Sequence, residues 1–232
     1  MTKDRAVIFD MDGVIFDSER MVLACWEQLA EKYHLTRMRE AYIPCIGVND
    51  VRMKEIMEAF YGEDFPYEDF RQEATGLFQE MVRREGLPVK KGVRELLAYL
   101  REQEVPVGLA SSTRLATVTE ELQQAGLYDY FQAVTGGDQL KRSKPEPDIY
   151  LMACEKLGVK PSDAYAVEDS YNGIRSSYSA GMMPIMVPDL LPLTEEMYVK
   201  SVVVLEDLVR VREWMEEKLS RIDGSGRCQA EA

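Results

Sequence analysis

Two aspartates separated by a single residue, Asp10-Met11-Asp12, stand directly after the apolar run Ala6-Val7-Ile8-Phe9 and are followed by Gly13-Val14. The run reads as a buried strand, so both carboxylates sit where its carboxyl end opens into a loop. In an open parallel α/β sheet that edge is where ligands bind. Gly13 permits a sharp turn without a Cβ penalty. Two acids crowded on one turn repel each other unless a cation or a shared proton separates them. Phosphoryl transfer uses such a pair. One carboxylate attacks phosphorus and forms an aspartyl-phosphate, and the other holds the proton that the leaving oxygen needs. A hard divalent cation, Mg²⁺ before others, would bridge carboxylate and phosphate and offset their repulsion. The alternative is a strand end whose acids cap the next helix.

Three later segments place further chemistry at strand ends. Ser111-Ser112-Thr113 follows the apolar stretch 106–110 and precedes a helical stripe. It offers either a hydroxyl and helix N-terminal N–H groups for a phosphate oxygen or an ordinary helix cap. Lys144 lies in Ser143-Lys144-Pro145-Glu146-Pro147-Asp148, whose prolines stiffen the start of a helix. A fixed ammonium there binds a phosphate oxygen and the nucleophilic carboxylate, or else it is a solvated surface lysine. Glu168-Asp169-Ser170 ends the run Ala164–Val167. Its carboxylates suit Mg²⁺ as oxygen ligands, unless Asp169 is spent as the cap of the helix that Gly181 closes.

These residues need a scaffold that brings strand ends together. Strand-like runs occur at 6–9, 106–110, 133–135, 164–167, 184–187 and 202–205, with helical stripes between most of them. Val93, Leu96, Leu97 and Leu100 keep helical spacing, as do Leu115, Val118 and Leu122. Such alternation predicts right-handed crossovers and a doubly wound, Rossmann-like parallel sheet of the α/β class. Residues 19–86 break the rhythm with helical stripes alone. Val22, Trp26, Leu29 and Tyr33 form one face, Met53, Ile56, Met57 and Phe60 a second, and Phe70, Ala74, Leu77 and Met81 a third. The expected organisation is a core of residues 1–18 and 87–222 with an inserted α-helical cap over 19–86. A cap rooted beside the aspartate loop can open for substrate and close against water. Residues 223–232, polar and containing Gly-Ser-Gly, read as a disordered tail.

Composition limits the partners. Of 232 residues, 41 are acidic and 28 basic, a net charge of −13 that speaks against nucleic acid and anionic membranes, both of which need a basic footprint. An anionic substrate must then be held by a local site. No apolar stretch reaches membrane-spanning length, and Asp10 and Asp12 interrupt the one N-terminal run that could serve as a signal peptide. Cys25, Cys45, Cys154 and Cys228 are scattered, which suits reduced thiols in a cytoplasmic protein and gives no zinc site. His34, the sole histidine, lies near a helix end where a surface role is expected.

Asp10-Met11-Asp12-Gly13-Val14, Ser111, Lys144-Pro145 and Glu168-Asp169 together, in this order, resemble the four motifs of the haloacid dehalogenase superfamily, in its helical-cap branch of phosphatases and phosphomutases. The resemblance spans residues 6 to about 187. It implies Asp10 as nucleophile and Asp12 as general acid and base. It also implies Mg²⁺ on the Asp10 carboxylate, the Asp12 backbone carbonyl, Asp169 and Glu168. Ser111, Ser112 and Lys144 would hold the phosphoryl group of a small phosphorylated metabolite, and a monomer is expected. The chain is also similar to β-phosphoglucomutases, which carry a cap histidine where this sequence has Val22 and a cap arginine soon after a Gly-Val pair. Here Gly47-Val48 is followed by Asn49 and Asp50, with Arg52 two positions late. The expectation is therefore a phosphatase, with a mutase as the alternative and a non-catalytic sugar-phosphate sensor as a remote one. Gly47, Val48, Asn49 and Arg52 are the expected substrate-selecting residues.

Overall fold

Six short strands, each an apolar run, form one parallel sheet: β1 (Ala6–Phe9), β2 (Val107–Ser111), β3 (Ala133–Gly136), β4 (Ala164–Glu168), β5 (Met183–Met186) and β6 (Val203–Val204). Their order is β3-β2-β1-β4-β5-β6. In this computed structural model, residues 5–48 and 50–225 are described. All six expected strands are present, with ends shifted by a residue or two. The chain fills one half of the sheet, returns past β1 and fills the other half. The crevice at that reversal lies between the carboxyl ends of β1 and β4, where doubly wound sheets bind ligands. Register puts Phe9 beside Val167, so Asp10 and Glu168 emerge at the same level.

Continuous apolar strands imply that both faces are covered. On one face Val7, Phe9, Val107 and Leu109 pack with Leu96, Leu97 and Leu100 of α5 (Val93–Glu102), Val118 and Leu122 of α6 (Leu115–Gln124), and Val211 and Met215 of α10 (Leu208–Ser225). On the other, Ala6, Ile8, Ala110 and Ala166 meet Ile149, Tyr150 and Ala153 of α7 (Asp148–Leu157). Small strand residues on this side let α7 approach closely. α8 (Tyr171–Ser179) and the short α9 (Glu195–Lys200) complete that flank through Ile174 and Met197. Helix α10 continues to Ser225, into the stretch expected to be a disordered tail from 223, because it extends a helix already anchored by Leu208, Val211 and Met215. The rest of that stretch, 226–232, lies outside the described residues, as does Cys228.

Between β1 and α5 the chain is helical: α1 (Ser18–Lys32), α2 (Met38–Tyr42), α3 (Asp50–Tyr61) and α4 (Tyr67–Glu85). These helices build a separate hydrophobic cluster around Trp26, Tyr42, Met57 and Phe70. Trp26 packs edge-on against both Tyr42 and Phe70, with ring centroids at 5.0 and 5.2 Å. Full burial of side chains this size contributes about 1.5–3 kcal/mol each. The helical periods identify this segment, but α2 is too short for a periodic signal. Phe60, assigned by spacing to the inner face of α3, is 37% exposed, and the Arg37 guanidinium covers its ring. No helix among the described residues is long and apolar enough to cross a membrane.

Candidate active site

Asp10 leaves the end of β1 and Asp12 follows on a turn closed by the Gly13 N–H donating to the Phe16 carbonyl. Gly13 has φ +80°, and a Cβ there would lie 2.0 Å from Oδ2 of Asp169. Glycine is thus required twice over, for the turn and for the neighbouring carboxylate. Gly173 does the same for Glu168, whose carboxyl lies 1.9 Å from where a Cβ would stand.

Lys144 reaches this point from the segment before α7. Its ammonium donates to Oδ1 of Asp10 at 2.5 Å, Oε1 of Glu168 at 2.6 Å and the Ala110 carbonyl at 3.1 Å. Those three bonds use all three of its protons. The lysine side chain is 7% exposed, so it is no solvated surface group. Glu168, fully buried, is satisfied at both oxygens. Tyr150 donates to Oε1 at 2.6 Å, while the Ser170 hydroxyl and the Asp169 and Ser170 N–H groups donate to Oε2. Asp169 keeps its carboxylate free of protein donors among the described residues, because Ser170 serves as the cap of α8, accepting from the Gly173 N–H at 3.0 Å.

Asp12 is held differently. Ser18 donates to its Oδ1 at 2.8 Å and Thr113 to its Oδ2 at 3.0 Å, so hydroxyls from two separate elements aim the carboxylate. Ser111 is fully buried; its oxygen accepts the Thr113 N–H at 3.0 Å, and its own proton has no acceptor among the described residues. Ser112 and Thr113 form the adjacent cleft wall. Gly137 lets this loop come near, since a Cβ there would lie 2.2 Å from the Ser112 carbonyl oxygen.

The electrostatics are lopsided. Three buried acids, Asp10, Glu168 and Asp169, bring oxygens within 4.8 Å of one another; Lys144 opposes Asp10 and Glu168 directly, and Lys90 offsets the charge at Asp169. Burial pushes Asp10 up to about 8; Lys144 pulls it down, and Glu168 and Asp12 push it further up. Burial, then the Glu168 and Asp10 charges, also push Asp169 well above the usual carboxylate range. An all-oxygen donor set with excess negative charge fits a hard divalent cation. Asp10 and Asp169 each have an oxygen without a donor among the described residues, whereas the oxygens of Glu168 are already engaged by protein donors.

A cleft of about 1770 Å³ opens above this cluster, between the helical segment and the sheet edge. It exceeds the few hundred cubic ångströms that a small ligand needs. Of the expected substrate-selecting residues, Gly47 and Val48 line the cleft. Arg52 does not: it is exposed and pairs with Glu55 at 2.7 Å, one helical turn along α3. Asn49 lies outside the described residues.

Sequence reasoning missed Thr113 and Ser18 as partners of Asp12, Tyr150 as partner of Glu168, and two cleft acids, Glu19 and Glu121. The spacing Glu19, Val22, Trp26 along α1 was the available signal for the first acid; Tyr150 had none. Burial, then the Asp12 and Glu120 charges, push Glu121 up to about 7 from 4.5. A carboxyl with a raised folded pKa binds its proton more tightly in the folded state, so stability falls as pH rises between those values. Glu121→Gln removes this loss. Its melting temperature relative to the unsubstituted protein is expected to be higher at pH 8 than at pH 5, as thermal unfolding at both pH values would show.

Residues 7–187 match the family model for haloacid dehalogenase-like hydrolases. The chain is 33% identical over 182 residues to a phosphorylated carbohydrates phosphatase of Thermotoga maritima, covering 76% of this chain and 82% of that protein. It is 30% identical over 198 residues to a β-phosphoglucomutase of Bacillus subtilis, covering 82% and 85%. A solved haloacid dehalogenase family hydrolase of Deinococcus radiodurans, with bound phosphate and sodium, superposes with a TM-score of 0.79 at 24% identity, over 94% of this chain and 97% of that one. At that identity the likeness is one of fold.

Proposed function

Because the chain belongs to the haloacid dehalogenase-like hydrolases and is an enzyme, we propose that it is a Mg²⁺-dependent phosphatase of small phosphomonoesters, sugar phosphates or similar metabolites. One observation carries the reading. Two carboxylates two residues apart are held in opposite environments, Asp10 against the Lys144 ammonium and Asp12 between two hydroxyls. Such divergence separates nucleophile from acid–base catalyst.

Asp10 attacks phosphorus as the bond to the ester oxygen breaks, and Asp12 delivers its proton to that oxygen, releasing an alcohol. Asp12, now a carboxylate, takes a proton from water as the water oxygen attacks the phosphorus of the aspartyl-phosphate. The phosphorus–Asp10 bond breaks, inorganic phosphate leaves, and both aspartates return to their starting states. Lys144 keeps Asp10 oriented, and the free Ser111 proton suits a phosphoryl oxygen. Asp10, Asp169 and the Asp12 carbonyl, with Glu168 adding charge, would hold Mg²⁺, which would supply neutralisation of the phosphoryl oxygens. The helices from Ser18 to Glu85 act as a cap that shields the aspartyl-phosphate. Bonds from Asn172 to the Gly47 carbonyl at 2.6 Å and from Arg20 to Asp189 at 2.8 Å already join them to the core.

A phosphomutase shares the first half-reaction but must also anchor a second phosphate. The α1 face over the catalytic loop presents Glu19, Val22 and Trp26, none of them cationic, and this favours hydrolysis. The test is phosphate release from hexose, pentose, polyol and nucleotide monophosphates in Mg²⁺ and in EDTA, with glucose 6-phosphate formation from β-glucose 1-phosphate followed separately. Metal-dependent release is expected. Glucose 6-phosphate formed faster than phosphate would establish the mutase instead.

A further inference from the structure

The cleft wall nearest Asp12 carries a carboxylate that the reaction above does not use. Glu19 sits in the first turn of α1, and Val22 and Trp26 follow at i+3 and i+7, so the three make one stripe facing the cleft. Tyr42 donates to Oε2 of Glu19 at 2.5 Å. Tyr42 itself is 3% exposed and packed edge-on against Trp26. The carboxylate is therefore braced by a buried aromatic pair and is not free to swing. Its other oxygen, Oε1, receives no hydrogen bond from the described residues. On the opposite wall Glu121 of α6 has an oxygen, Oε2, that is buried and likewise without a donor. An acceptor left in that state is destabilising unless a ligand or water supplies the hydrogen. Val22 and Trp26 give the α1 wall an apolar strip beside Glu19.

We infer that Glu19 is a specificity-determining residue whose free oxygen accepts a hydroxyl of the substrate's alcohol part, selecting a neutral polyol or sugar carrying a single phosphate. The inference rests on the phosphatase reading and deepens it. A substrate hydroxyl can donate to this fixed carboxylate oxygen, and the carbon skeleton of a polyol suits Val22 and Trp26 on the same stripe. A second phosphate placed against this part of α1 would meet a fixed acid instead of a cation. Preorganisation by Tyr42 keeps the acceptor in place before substrate arrives.

The experiment compares kcat/KM for a hexitol 6-phosphate with that for p-nitrophenyl phosphate, whose leaving group has no aliphatic hydroxyls. It uses the full chain in Mg²⁺ with Glu19→Ala and Glu19→Gln. The glutamine variant preserves volume, but Tyr42 takes its one carbonyl oxygen and leaves an amide NH₂, which cannot accept a hydroxyl. Glu27→Gln, on the exposed outer face of α1, controls for loss of one charge. The hexitol-to-aryl ratio is expected to fall at least tenfold in both Glu19 variants and to stay within threefold of the starting value in Glu27→Gln. Ratios within threefold in both Glu19 variants would overturn the inference while leaving the phosphatase standing. Absence of phosphate release from either ester by the unsubstituted protein would instead remove the phosphatase reading, and this inference with it.

Discussion

Asp10→Asn is expected to lower phosphate release by a factor on the order of 10⁴ or more, the scale seen when a nucleophile is removed. The substitution is isosteric. The carboxamide oxygen still accepts from Lys144, and one of the three crowded negative charges disappears. The fold is therefore expected to survive, and in EDTA the variant is expected to melt no lower than the unsubstituted protein. That separation matters, because loss of activity with a retained melting temperature locates the defect in chemistry. A rapid-quench experiment with ³²P-labelled substrate adds the direct readout. Label should appear on the unsubstituted protein during turnover and be absent from Asp10→Asn. Release by the variant within tenfold of the starting rate would exclude Asp10 as nucleophile.

Lys144→Met is expected to damage both stability and rate. The ammonium is shared by Asp10, Glu168 and the Ala110 carbonyl. Burial works against its charge, but the Asp10 and Glu168 charges outweigh burial and hold its pKa above the usual lysine value. Lys144 thus stays charged, and its contribution to stability is present throughout pH 5–9. Removing one partner of a buried ion pair costs about 3–5 kcal/mol because the other charge is left uncompensated. For a chain of this length that corresponds to a fall in melting temperature of roughly 10 °C. The deficit is expected to shrink toward pH 5, where the stranded carboxylates take up protons. Phosphate release at 25 °C, measured on protein shown folded by circular dichroism, is expected to drop at least about 100-fold through misplacement of Asp10. A variant that melts with the unsubstituted protein at pH 8 would show that Lys144 does not hold the acids together.

Most of the sheet was legible because its strands are mainly apolar runs, with polar residues at or near the carboxyl ends of β2, β3 and β4. A strand covered on both faces has no polar positions to blur the pattern, and each of the six runs did become a strand. Helices with four or more periodic apolar residues were equally plain, as in α1, α4 and α5. Legibility failed where the signal is short or depends on contact. Helix α2 spans less than two turns. Phe60 keeps the helical period yet lies under Arg37 at the surface, since spacing defines a face without saying how far that face stays covered.

The candidate site divides along the same line. Residue types at strand ends were enough to single out Asp10, Asp12, Ser111, Lys144, Glu168 and Asp169, because a parallel sheet brings the carboxyl ends of its strands to one edge whatever the intervening sequence. The sequence alone therefore determined the fold class, the sheet edge where these groups gather and the acids and the lysine available there. Only the tertiary structure decided how these groups divide the work. It commits both oxygens of Glu168 to Lys144, Tyr150 and the Asp169–Ser170 loop, leaves those of Asp169 without a donor among the described residues, and orients Asp12 by hydroxyls from Ser18 and Thr113. It also sets Glu19, braced by Tyr42, on the wall beside them. Each of these outcomes depends on which atoms meet across long stretches of chain, and hydrogen bonding and desolvation act over a few ångströms that no local pattern encodes.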